Sequence, residues 1–108
     1  MAWFRRTSVS VAQARALLDD GAVLVDVRSP QEWRSEHAPA ARHIPLDQLE
    51  RRAGDLPAGT PVVVMCHSGV RSAQGAAVLR RKGVDAHSLR GGIVAWRRAG
   101  ERVTGARR

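Results

Sequence analysis

The sequence predicts an α/β domain, with a central parallel sheet and helices on both faces in three layers. Three observations carry this. The apolar runs at residues 22–27 and 62–65 are too continuous for half-exposed strands and too short for buried helices. Helix-start signals fall before and between them, at Ser10-Val-Ala-Gln13 and Ser29-Pro-Gln-Glu32. The 108 residues are enough for one domain with a modest core. Strands alternating with helices pair in parallel and cover both sheet faces.

The elements follow in order. Trp3-Phe4 is expected to form a short edge strand within the N-terminal segment, 1–9. Ser10 and Gln13 make a capping box, Val11, Ala14, Leu17 and Leu18 share one helix face, and Gly21 ends the helix. The strand over 22–27 leads into Asp26 and Arg28, which share a face because side chains alternate. Both are read as supporting residues, a charge pair bracing nearby loops. Ser29 and Glu32 make a second box with Pro30 at the first helical position, and Trp33 is expected to anchor that helix in the core. Residues 36–43 read as a loop in which His37 fills space and bonds backbone. His43 and His87 read as surface or packing residues. Ile44-Pro45-Leu46 reads as an edge strand, since proline cannot donate to a ladder. A short helix over 47–53 and a turn-rich link over 54–59 precede the 62–65 strand. A helix over 72–82 ends at Gly83. A strand over 84–89, interrupted by Asp85 and His87, leads to a hinge-like turn at Gly91-Gly92. The last helix covers 93–98, with Trp96 on its apolar side. Residues 10–100 thus make the domain, and 101–108 a basic tail without core pattern, expected to be disordered.

Composition excludes several classes. No apolar run approaches the roughly 18 residues that span a bilayer, and residues 1–6 lack the core of a signal peptide. No membrane association and a cytoplasmic location are expected, where a free thiol stays reduced. One cysteine excludes an internal disulfide and a multi-cysteine zinc site. No His-x-x-x-His pair or glycine-rich phosphate motif points to a metal or cofactor, so none is expected. Net charge is +8, from 18 Lys+Arg against 10 Asp+Glu. The excess lies late, at Arg80-Arg81-Lys82, Arg90, Arg97-Arg98, Arg102 and Arg107-Arg108. Scattered over several elements, with few aromatics, it does not favour nucleic-acid binding. It reads as a solvated basic surface or as a field for anionic substrates or an acidic protein partner.

The candidate site is Cys66-His-Ser-Gly-Val-Arg71-Ser72. A lone cysteine ending an apolar strand is by itself most often a small buried hydrophobe. A wall of His67, Ser68, Gly69 and Arg71 suits an anion better. Cys66 should sit at the carboxyl end of a central strand, facing a helix amino terminus, where α/β sheets bind ligands. An ordinary thiol is only a few per cent ionised near pH 7. A helix dipole contributes up to about 2 kcal/mol toward ionisation, so loop N–H groups curled into a nest and the Arg71 charge must supply the rest. Gly69 can adopt the backbone angles such a loop needs.

This loop resembles the active-site loop of the rhodanese family of sulfurtransferases. Three stretches resemble the family in the same order: Leu24-Val-Asp-Val-Arg28 with Glu32-Trp33, His37 through Ile44-Pro45-Leu46, and Gly91-Gly-Ile-Val-Ala-Trp96. Together they cover about 10–100. The chain departs where Glu36 stands for a glycine before His37 and where Ala40 replaces a common second glycine, so that loop is expected to run differently if those glycines need positive φ.

The resemblance implies a rhodanese-like fold and transfer of a sulfane sulfur through a Cys66 persulfide. The partners would be a small anionic donor such as thiosulfate and a thiophilic acceptor. His67, Ser68, Gly69, Val70 and Arg71 would bind substrate, with Arg28 at the rim helping to attract the donor. Asp26, Arg28, Ser72 and Trp96 would support the site. An alternative is a sulfur-carrying or sensing module whose acceptor is a protein. Cysteine phosphatases and arsenate reductases on a related scaffold have five residues between Cys and Arg. Here there are four, a tighter ring better matched to one sulfur than to a tetrahedral oxyanion.

Overall fold

The computed structural model describes residues 7–105. Its strands are β1 (Ser8–Val9), β2 (Val23–Asp26), β3 (Arg42–His43), β4 (Val62–Met65) and β5 (Ala86–Leu89). Its helices are α1 (Val11–Asp19), α2 (Pro30–Ser35), α3 (Leu49–Arg52), α4 (Val70–Arg81) and α5 (Gly92–Arg98), with 3₁₀ turns at Leu46–Gln48 and Ala53–Asp55. The sheet has order β1-β5-β4-β2-β3, and every pair is parallel. The expected α/β architecture is therefore present, with β4 at the centre.

Alternation along β4 divides the core. Val62, Val64 and then Cys66 face a cluster with Leu49, Ala76 and Leu79, under α3 and α4. Val63 and Met65 face Ala14, Ile93 and Trp96, under α1 and α5. Both faces of β4 are thus dry, which is why its sequence is a continuous apolar run. Both capping boxes form, Ser10 with Gln13 and Ser29 with Glu32.

Several elements differ from expectation. The strand expected at Trp3-Phe4 lies outside the described residues; among the described ones Ser8–Val9 forms an edge strand. The other edge strand is Arg42–His43 rather than Ile44-Pro45-Leu46. The Ile44 and Leu46 N–H groups still bond to Asp26 and Val27 carbonyls, but Pro45 between them has no N–H to give. The helix expected over 47–53 is broken into a 3₁₀ turn, α3 and a second turn. Helix α2 buries no residue, so Trp33 does not anchor it in the core. Instead the Trp33 ring stacks on His37 and His43, with centroids 3.7 and 4.8 Å away.

The tail expected to be disordered is paired through residue 104. Thr104 and His37 exchange backbone hydrogen bonds at 2.6 and 2.7 Å, and the Trp96 indole N–H donates to the Arg102 carbonyl at 2.9 Å. Backbone pairing needs no side-chain pattern, so composition could not reveal it. Among the described residues no helix is long and apolar enough to cross a membrane.

Candidate active site

Strand β4 ends at Met65 and delivers Cys66 to the first turn of α4. The thiol is as buried as an inert core cysteine, at 1% exposed. The surrounding backbone distinguishes the two cases. The Gly69 N–H donates to Sγ at 3.1 Å. Gly69 achieves this as the residue before α4, at φ 118° and ψ −13°, a conformation that side chains strain. Burial pushes the Cys66 thiol pKa up, yet the net shift is downward. The Ser72 hydroxyl and the Ser72, Gly69 and Ser68 N–H groups outweigh burial. Hydrogen bonding to the charged form is thus the term that wins.

The loop is held from outside by α5. The Ile93 N–H donates to the Cys66 carbonyl at 2.8 Å and the Val94 N–H to the His67 carbonyl at 3.4 Å. With the carbonyls turned toward α5, N–H groups are left to face the sulfur. Gly92 permits this approach: a Cβ there would run into the Cys66 and His67 carbonyls. What reads as a hinge in sequence is a close backbone contact.

The other expected residues fall into two sets. Ser72 is buried beneath the loop, its Oγ 2.8 Å from the Ser88 hydroxyl and 3.1 Å from the Gly69 carbonyl, which takes the hydroxyl's one proton when Sγ does not. His67, Ser68 and Val70 are exposed on the loop's outer side. Arg71 is half-buried, but its charge is not free. Both terminal nitrogens meet the Glu32 carboxylate, at 2.7 and 2.9 Å. The hydrogen bond from Arg71 is the main cause that lowers the Glu32 pKa to about 2, against burial and with help from the Ser29 N–H. The same carboxylate raises the Arg71 pKa.

Arg28 is not at the rim. It is 3% exposed, and its guanidinium is taken up by Asp26, at 2.8–3.1 Å, and by the Glu36 carbonyl, at 2.6 Å. The charge pair with Asp26 forms, but Arg28 cannot attract a donor. Its own carbonyl is met by His43 Nε2 at 2.7 Å. Trp96 sits across the sheet from Cys66, in the α1 and α5 layer, and braces α5 and the tail. His37 bonds backbone as expected, through Nδ1 to the Trp33 carbonyl at 2.8 Å. His87 is buried, with Nε2 2.9 Å from Asp85.

Glu32 and Ser88 were missed as site residues. Glu32 was read as a helix cap and, with Trp33, as part of a stretch that resembles the family, but not as a partner of the Cys66 loop. Ser88 had none, being one serine in a strand. Among the described residues no three His, Cys, Asp or Glu side chains converge as a metal set would. The arrangement presents one stabilised sulfur nucleophile beside a neutralised cation.

Comparison with known proteins agrees with this geometry. The family model described as "Rhodanese-like domain" matches residues 10–99. A Bacillus subtilis protein, YqhL, is 40% identical over 76 residues, which cover 69% of this chain and 60% of that protein. The thiosulfate sulfurtransferase GlpE of Pseudomonas syringae is 40% identical over 86 residues, covering 79% of this chain and 81% of its own. A solved structure of a rhodanese-related protein from Thermoplasma volcanium superposes with a TM-score of 0.81 at 26% identity, covering 90% of this chain and 96% of that one.

Proposed function

The chain belongs to the rhodanese-like domain family, and from that premise we propose that it is a sulfurtransferase working through a Cys66 persulfide, with thiosulfate or a similar anion as donor. The observation that supports this most is a buried Cys66 thiol that accepts from the Gly69 N–H at 3.1 Å, while the nearby Arg71 guanidinium is held by Glu32. A thiolate held by N–H donors suits a reaction in which negative sulfur persists at every stage. The Cys66 thiolate attacks the donor's outer sulfur, the S–S bond to the sulfonate sulfur breaks, and sulfite leaves with the electron pair. The product is Cys66–S–S⁻, whose charge the same N–H groups stabilise, an oxyanion-hole logic applied to sulfur. A thiophilic acceptor then attacks the outer sulfur and returns the pair to Sγ.

The donor's oxygens would be met by the exposed His67 and Ser68 side chains and by what Glu32 leaves of Arg71. A guanidinium has five N–H donors, and Glu32 engages NH1 and NH2, leaving capacity for a substrate. The test is an intact mass after incubation with thiosulfate. The expected result is a gain of one sulfur that cyanide removes and that Cys66→Ala does not show. No gain with any of several sulfane donors would overturn the proposal.

A further inference from the structure

Two clefts among the described residues differ in charge. The larger, of about 660 Å³, carries both signs of charge in its wall, Arg15, Arg42 and Arg102 with Asp19 and Glu101. Its Arg15 pairs with both acids, and none of the residues of the Cys66 loop lines it. The smaller, of about 290 Å³, lies beside the active-site loop and is lined by Ser68, Gly69, Val70, Ser88, Arg80 and Arg90, with no acidic residue in its wall. Arg80 donates to the Ala86 carbonyl and Arg90 to the Ser8 carbonyl and hydroxyl. Among the described residues neither has a carboxylate within ion-pair distance. Val70, at the cleft's edge, is 70% exposed and is the exposed large hydrophobic residue of the described chain.

We propose that this cleft is the docking site for an acidic segment of a protein acceptor, which seats its carboxylates on Arg80 and Arg90, covers Val70, and presents a thiol to Cys66. Length argues for a peptide over a small anion. Val70 and Arg80 are ten residues apart on α4, about 15 Å at 1.5 Å per residue. A ligand that both covers Val70 and meets Arg80 spans that length with four or five extended residues, at about 3.3 Å each. Charge argues for an acidic one, because two unpaired guanidiniums in a chain of net charge +8 repel a basic partner and steer an acidic one. Position argues for an acceptor. Gly69 belongs to both the cleft wall and the sulfur cradle, so a segment seated there lies against the loop that carries the nucleophile. The proposal rests on the sulfurtransfer reading for its chemistry. The acceptor thiolate attacks the outer sulfur of Cys66–S–S⁻, the bond to Sγ breaks, its electron pair stays on Sγ, and the acceptor leaves as the persulfide.

Docking and chemistry are tested separately. For docking, a short labelled peptide with a run of glutamates around one serine, and its lysine twin, are titrated into the full chain carrying Cys66→Ala. Binding of the acidic peptide at least about tenfold tighter, weakened by salt and weakened to a similar extent by R80Q/R90Q, is expected. Val70→Asp should weaken it as well. Equal affinity for the two peptides, or an unchanged affinity in R80Q/R90Q, overturns the proposal. So does a labelled DNA oligonucleotide that binds more tightly than the acidic peptide at physiological salt and is lost in the same variant. For transfer, cysteine forms of the peptides receive sulfur from thiosulfate-loaded wild-type protein. R80Q/R90Q should raise the KM for the acidic thiol about tenfold while turnover with cyanide stays unchanged. Failure to form any persulfide would remove the sulfurtransfer reading but leave the binding result standing.

Discussion

Replacing Glu32 with glutamine isolates the electrostatic half of a residue with two tasks. Its carboxylate accepts from the Ser29 N–H at 3.0 Å and grips Arg71 at 2.7 and 2.9 Å. Glutamine keeps an oxygen for the cap, so the loss falls mainly on the charge pair. The Arg71 hydrogen bond is the largest cause of a Glu32 pKa lowered from 4.5 to about 2. A carboxylate whose folded value is depressed contributes stability above its unfolded value and loses it as pH falls toward the folded one. The window is therefore from about pH 4.5 down to about pH 2. At 1.36 kcal/mol per unit the drop corresponds to about 3 kcal/mol. The two side chains are 36% and 33% exposed, and screening brings this to about 1–2 kcal/mol. For a domain of this size that is a melting point about 4–8 °C below wild type at neutral pH and low salt. Calorimetry of both proteins across pH reads the effect. The gap should narrow through the acidic window and shrink at about 1 M salt. A gap that is absent at neutral pH, or constant from pH 5 to the lowest pH at which both fold, would refute the reasoning and leave Glu32 as a helix cap alone.

Two other perturbations probe the sulfur cradle. Ser72→Ala removes a hydroxyl that lowers the Cys66 pKa, so the thiol should titrate higher. A hydrogen bond to a charged group contributes about 1.5–3 kcal/mol, so iodoacetamide should react about tenfold or more slowly at neutral pH, with rates converging in strong base. Equal rates at neutral pH would remove Ser72 from the cradle. Gly92→Ala adds positive-φ strain to a collision with the Cys66 and His67 carbonyls, and urea melts should show a loss above about 3 kcal/mol with slowed alkylation. Gly83→Ala is the control: its φ is 85° but nothing lies within 4 Å of an added Cβ, and it should cost about 1 kcal/mol with alkylation unchanged.

What was legible in the chain depended on distance along it. Strand β4, both capping boxes and the left-handed Gly69 could be read because period, cap and turn chemistry are local. The candidate nucleophile was legible for the same reason: the groups that lower the Cys66 pKa, at Ser68, Gly69 and Ser72, lie within six residues of it. The charge balance was not. Glu32 and Arg71 are 39 residues apart, and nothing in either segment says which cation a capping glutamate faces. Arg28 pointed to the rim only while the Glu36 carbonyl that takes its NH2 was unknown. The His37–Thr104 pairing and the grip of Ile93 on the Cys66 carbonyl are backbone contacts, which leave no trace in residue type except a glycine where the chains meet, here Gly92. These non-local contacts decide how the site meets charge. With Arg71 neutralised by Glu32 and Arg28 buried on Asp26, the arginines without acids that line the cleft beside the loop, among the described residues, are Arg80 and Arg90. An acidic partner of the kind proposed would therefore meet charge without a carboxylate on the flank of the loop rather than at its centre.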